Sequence, residues 1–168
     1  MSIAINTERL NLKKIENKDL HVLVNQLNNW NVVKWLVNVP YPYTFNDAEK
    51  WLEKSLKEEL ALNIYLKNIL IGGITIDKLT TNNTPVLGYW IGEEYWGNGY
   101  AIEACNSLIS HFFSNHLGNI LYASHMLTNE KSKKILLKLG FQKVSEGNVF
   151  SLSKNKEVED VNYELVNS

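Results

Sequence analysis

The chain has 168 residues, a length that fits one domain over 1–168, and 45% of it is hydrophobic, enough for a sizeable core. Basic and acidic side chains nearly cancel to a net charge of −1, so there is no global basic field to argue for nucleic acid. A lone cysteine, Cys105, excludes an intramolecular disulfide and fits a reducing compartment.

The opening MSIAINTERL lacks the basic start and long apolar run of a signal peptide, and no apolar stretch approaches the length of a membrane span. The expectation is a soluble, cytoplasmic protein without a membrane partner. Residues 8–15 alternate as a first strand, and 17–30 place Leu20, Leu23, Val24 and Leu27 on one helical face. A second short helix follows, until VPYPY (39–43) breaks it, since proline disfavours helix at its own position and the one before. In the next helix, Asn46 and Glu49 have the capping-box spacing. Its expected buried stripe is Ala48, Trp51, Leu52, Leu56 and Leu60.

Residues 62–66 alternate as a strand and 68–76 as its hairpin partner, with Gly72 and Gly73 marking a bulge or bend. TTNNT (80–84) is turn chemistry, and 85–92 is the next strand. A glycine loop then opens a helix to about Asn115, with Ala101, Cys105, Leu108 and Phe112 on its inner face. A strand over 119–127 and a short helix over 128–140 follow, the helix closed by Gly140. Residues 141–153 and 161–166 finish as strands around a turn at 154–160. The pattern is mixed α/β. Strand 85–92, helix and strand 119–127 form a right-handed parallel crossover, with the glycine loop where open α/β sheets bind ligands.

The loop EYWGNGYAIEA (94–104) puts two glycines at the mouth of a helix, where unpaired N–H groups and a partial positive charge favour an anion. A P-loop would carry Lys and Ser/Thr after the second glycine, where Tyr100 and Ala101 stand. A dinucleotide fingerprint would carry a third small residue where Ile102 stands, and an acid about twenty positions on that is absent. His21, His111, His116 and His125 have no metal-ligand spacing, so no metal is expected. Cys105 lies on the apolar stripe of its helix and reads as a small buried hydrophobe.

GYWIGEEYWGNGYAIEA (88–104) resembles the coenzyme-A-binding motif of the GNAT acyltransferase superfamily, with Gly97, Asn98, Gly99, Tyr100 and Ala101 as loop core. Trp96 and Asn98 stand where that superfamily usually carries Arg or Gln, or a cation, so grip on phosphate would rest on backbone amides. TNEKSKKILLKLGFQKV (128–144) resembles its second signature through Asn129, Ser132, Gly140 and Phe141. TERLNLKKI (7–15), VPYPYTFNDAEKWL (39–52) and KNKEVEDVNYEL (154–165) are similar to the branch with ribosomal-protein alanine N-acetyltransferases, so the resemblance spans nearly the whole chain.

The resemblance implies an α/β fold of the α+β type: a mixed, mostly antiparallel sheet of about six to seven strands, helices on both faces, and a splayed fourth and fifth strand. It implies direct acetyl transfer from acetyl-CoA to a primary amine, by a monomer or homodimer. Pantetheine would lie in the splay against the backbone of Trp90, Ile91 and Gly92, an N–H near Ile91 steadying the oxyanion. Amides of Gly97 to Ala101 would hold the pyrophosphate, Asn129 and Ser132 the pantetheine arm, and Lys133 or Lys134 the 3′-phosphate. Glu93, or its neighbour Glu94, would accept the amine proton directly or through water. Leu136 stands where many members place a tyrosine acid for the leaving thiolate, so Ser132 would pass the proton or the thiolate would leave and take one from water. Tyr41 and Tyr43, with Trp35, would line the amine pocket. Glu103 would complement the helix dipole rather than do chemistry. The expected acceptor is a protein N-terminal amine. The alternatives are an aminoglycoside, polyamine or amino-sugar, or a non-catalytic CoA-binding module.

Overall fold

The computed structural model describes residues 2–79 and 82–168, so part of the turn expected at 80–84 lies outside the described residues. Eight strands form one sheet in the order β1-β2-β3-β4-β5-β6-β8-β7. They are β1 (Ala4–Asn6), β2 (Leu10–Lys13), β3 (Ala61–Leu66), β4 (Ile69–Lys78), β5 (Pro85–Ile91), β6 (Ile120–Met126), β7 (Gln142–Ser151) and β8 (Lys156–Val166). The count exceeds the expected six to seven. Before the anticipated first strand lies a three-residue strand that pairs with it, Ile5 opposite Leu12, and three residues are too few to show a period.

Every pairing is antiparallel except β5 with β6, which run parallel and meet at one register position, Val86 opposite Tyr122. Beyond it the two strands part. Helices α4 (Tyr100–Ser114) and α5 (Glu130–Lys138) cover one face of the sheet, and α1 (Leu20–Leu27), α2 (Trp30–Val33) and α3 (Phe45–Lys57) cover the other. The first core joins Leu108 and Phe112 of α4 and Leu136 of α5 to Leu62, Ile64 and Leu121 of the sheet. Each such side chain contributes about 1.5–3 kcal/mol of hydrophobic burial. Ala104, rather than Ala101, completes the inner stripe of α4, because Ala101 lines a cleft at the helix mouth.

The cap of α3 is Thr44 rather than Asn46. Thr44 Oγ1 accepts from Asp47 N at 3.2 Å, and Asp47 Oδ2 accepts from Thr44 N at 2.8 Å. Asn28 fixes this entry by accepting the Tyr43 N–H and donating to the Tyr43 carbonyl, so the chain is still extended at residue 44. The helix ends at Lys57, which leaves Leu56 71% exposed and Leu60 buried beyond the helix. Buried Ser55 takes the inner position, donating to the Ala61 carbonyl at 2.8 Å.

The irregularity in β4 falls at Ile71, which has no opposite number because Ile64 faces Gly72 and Tyr65 faces Leu70. Gly72 and Gly73 answer a different need. A Cβ on Gly72 would overlap the carbonyl of Trp90, and one on Gly73 would overlap its indole Nε1. The last turn is shorter than expected and β8 starts at Lys156, since Asn155 at φ +50° reverses the chain before the charged run. Gly140, at φ +93°, closes α5: its N–H reaches Leu137 O and that of Phe141 reaches Leu136 O.

Candidate functional site: a cleft at the parting of two strands

The parting of β5 from β6 opens a cleft of about 1740 Å³ that runs from the α2–α3 segment past β5 to the mouths of α4 and α5. One small molecule usually occupies ~300–1,000 Å³, so there is room for two substrates side by side. Gly92 N donates to Ile71 O at 2.7 Å, which makes Ile91–Gly72 a non-hydrogen-bonded pair of the ladder. The backbone groups of Tyr89 and Ile91 therefore point away from β4 into the gap, and those of Trp90 point toward β4. The Ile91 carbonyl is taken by Trp96 Nε1 at 2.7 Å, which leaves the Ile91 N–H to the cleft. Gly92 is buried at the strand's end against Gln26 and does not line the cleft.

The glycine loop is shaped by backbone. Gly97 and Gly99 sit at φ +77° and +78°, the left-handed region where a Cβ is strained. Asn98 turns inward, its Nδ2 donating to the carbonyls of Tyr95 and Trp96, so it braces the loop instead of facing an anion. Gly99 has no side chain to cap α4, and the first helical bond runs from Glu103 N to Gly99 O. The amides of Tyr100, Ala101 and Ile102 are left at the cleft rim, where a phosphate is favoured. No Cβ at Gly97 would meet any atom within 4 Å. The residues present thus suit a pyrophosphate held by amides.

Two cations that the motif itself lacks reach the loop from elsewhere. Arg9 stacks on the Tyr100 ring at 4.6 Å and lies 3.5 Å from where a Gly99 Cβ would stand. Lys131, in the first turn of α5, lies 4.5 Å over the Trp96 ring and lines the cleft. Neither was evident from the loop's own sequence, because one precedes it by some ninety residues and the other follows it by some thirty. Lys134 lines the cleft, whereas Lys133 does not.

Glu103 lies beside the loop but is fully engaged. Thr7 Oγ1 and Arg9 N donate to its Oε1 at 2.6 and 2.8 Å, and Arg9 Nε donates to Oε2 at 2.7 Å. Burial would raise its pKa, but these donors outweigh it and hold the carboxyl below the usual glutamate range.

On the α5 side, Asn129 Oδ1 accepts from Ser132 N at 3.2 Å and caps the helix. Ser132 Oγ meets Tyr89 Oη at 2.9 Å across the gap. Burial pushes the Tyr89 phenol well above its ordinary value. Tyr89 was missed in the sequence, although it lies two residues before Ile91 and so shares its strand edge. Leu136 is fully buried and brings no polar group to the gap. Cys105 is also fully buried, and desolvation pushes its thiol far up, away from nucleophilic use.

At the other end, Tyr43 is 6% exposed and lines the cleft with Trp35, Trp51 and Trp90. Tyr41 is 45% exposed, packs against Trp30 and is not among the lining residues. Glu93 is exposed just past β5, where Asn29 Nδ2 donates to Oε2 at 3.0 Å and Asn31 Nδ2 to Oε1 at 3.3 Å. Neither it nor Glu94 lines the cleft. Asp47 is held by Thr44, and Asp77 accepts from Lys54 at 2.9 Å. Lys34 and Lys154 stand 5.3 and 5.4 Å from the Trp35 ring, with no ion-pair partner among the described residues. Among the described residues no group of His, Cys, Asp and Glu is placed to hold a metal, and no helix is long and apolar enough to cross a membrane.

A family model described as an acetyltransferase (GNAT) domain matches residues 9–142. The uncharacterized N-acetyltransferase p20 of Bacillus licheniformis is 29% identical over 147 residues, which cover 82% of this chain and 81% of that protein. The microcin C7 self-immunity acetyltransferase MccE, solved with acetyl-CoA and AMP, superposes with a TM-score of 0.78 at 22% identity, covering 95% of this chain and 93% of that one. The ribosomal-protein-S5-alanine acetyltransferase of Vibrio fischeri has the same TM-score and identity, covering 99% and 97%.

Proposed function

The chain belongs to the GNAT acetyltransferase family, and we propose that it transfers an acetyl group from acetyl-CoA directly to a protein N-terminal amine. The observation that carries the reading is the single-position contact of β5 with β6 beside an uncapped α4 mouth. An extended thioester arm needs an unpaired strand edge, and its pyrophosphate needs free amides, and here the two adjoin.

Acetyl-CoA supplies the reactive thioester. The Ile91 N–H points into the gap and is assigned to the thioester oxygen, where it stabilises the negative charge that develops on attack. Amides from Gly97 to Ala101 bind the pyrophosphate. Asn129 orders the first turn of α5, so that Ser132 faces the sulfur. An α-amine with pKa near 7.7–8.0 is partly neutral at pH 7 and needs little help from a base. Glu93, held by Asn29 and Asn31 outside the cleft lining, is assigned to receive the proton through water.

The acceptor end supports a peptide over a polycation. Asp47 is held by Thr44 and Asp77 pairs with Lys54 through Oδ2, while Lys34 and Lys154 flank Trp35. Such an end repels aminoglycosides and polyamines. The likeness to an enzyme named for ribosomal protein S5 alanine agrees with this reading. The test is acetyl-CoA turnover against N-terminal peptides beginning with alanine or serine, polyamines and aminoglycosides. Peptides are expected to be the better acceptors. Faster turnover of a polyamine or aminoglycoside than of every peptide removes the acceptor assignment.

A further inference from the structure

We propose that Tyr89 is a positioning residue that aims the Ser132 hydroxyl at the departing sulfur. The inference rests on the reading of the gap as the thioester site and adds a role for a residue to which neither motif resemblance gave one. Tyr89 Oη and Ser132 Oγ are 2.9 Å apart, and both residues line the cleft. A phenol is the stronger donor of the two hydroxyls, and burial keeps it protonated at any working pH. Tyr89 therefore donates and Ser132 accepts. Ser132 N–H is already spent on Asn129 Oδ1, and the neighbouring Leu136 is apolar. The single Ser132 O–H is left to turn into the cleft.

The same burial decides between two roles. A proton moved from Tyr89 through Ser132 to sulfur would leave a phenolate in a desolvated site in exchange for a thiolate, and a phenol raised by burial above its ordinary value of about 10 is a weaker acid than an alkyl thiol. That exchange is uphill. The N–C bond forms, the C–S bond breaks with its electron pair going to sulfur, and the amine proton passes through water to Glu93. Ser132 gives the sulfur a hydrogen bond and no proton. The thiolate takes its proton from water after release.

The experiment compares wild type with Tyr89→Phe, Ser132→Ala and the double variant. It reads the pKa of bound CoA's thiol by thiolate absorbance, alongside kcat and KM for acetyl-CoA. In wild type the bound thiol should titrate below free CoA. Each single variant should raise that pKa by about one unit and lower kcat about tenfold, the size of one hydrogen bond to a charged group, with KM changed less than about twofold. The double variant should be no worse than either single one, and Ser132→Thr should restore the hydroxyl's effect. A Tyr89→Phe protein with wild-type kcat and thiol pKa overturns the proposal, as do additive single effects. Should Tyr89→Phe fold poorly, 3-fluorotyrosine at position 89 keeps the donor. It must then hold the low thiol pKa, and a rise to the free value overturns the proposal. Failure of wild type to bind CoA at all is a separate outcome that removes the cofactor reading beneath it.

Discussion

Arg9 Nε donates to Glu103 Oε2 at 2.7 Å, which ties the start of β2 to the first turn of the helix that opens at the glycine loop. Thr7 and the Arg9 amide complete the tie. Since these donors hold the Glu103 pKa below its ordinary value, the stabilisation is present above the unfolded value near 4.3 and is lost as pH falls through the folded one. Glu103→Gln is expected to cost about 1–3 kcal/mol at pH 7. Denaturant melts at pH 7 and pH 3 check this: the gap between variant and wild type should shrink in acid.

Gly99 is held at φ +78° with Arg9 nearby. Gly99→Ala is expected to destabilise by about 1–2 kcal/mol through backbone strain alone. Gly99→Glu adds a negative charge where a phosphate should sit and is expected to abolish CoA binding. Calorimetry on both variants, with thermal melts as control, separates strain from repulsion. Intact binding by Gly99→Glu would remove the loop from the cofactor site.

Gly73 lies under the Trp90 indole, with no room for a methyl group. Gly73→Ala is expected to cost about 1–3 kcal/mol as an overpacked site. Because Trp90 lines the cleft, acceptor KM should rise with it. Adding Trp90→Leu should recover part of the stability, and a double-mutant cycle measures that coupling.

Asn129 caps α5 through Ser132 N. Asn129→Ala is expected to lose about 1 kcal/mol of stability, while Asn129→Asp keeps the cap. If Asn129 also binds the pantetheine arm, KM for acetyl-CoA rises in both variants. If it is a cap alone, KM rises in neither.

Glu93 is exposed and bonded to two asparagines. With a partly neutral α-amine as acceptor, Glu93→Gln should slow turnover most at pH 6 and least near pH 9, where the amine is already neutral. A flat ratio to wild type from pH 6 to 9 would show that Glu93 takes no proton.

Much of this was open to reading in the chain alone. Gly97 and Gly99 stand out because only glycine adopts their φ cheaply, and Asn129, Ser132 and Gly140 because capping chemistry repeats at fixed spacing. Such signals act within a few residues, so they survive in one dimension. The α3 cap shows their limit. Asn46–Glu49 and Thr44–Asp47 both have the right spacing, and Asn28, sixteen residues upstream of Thr44, decided between them.

The linear sequence determined the α/β order of elements, the glycine loop that opens a helix and the superfamily to which loop and partner signature point. Tertiary structure alone decided that β5 and β6 touch at one position, that Tyr89 meets Ser132, and that Arg9 and Lys131 come to a loop with no cation of its own. It also decided that Gly73 is there for Trp90. The division has a physical reason. Propensity, capping and backbone strain are local energies, written residue by residue, whereas a hydrogen bond across a splayed sheet exists only after two distant segments have been packed on the same core.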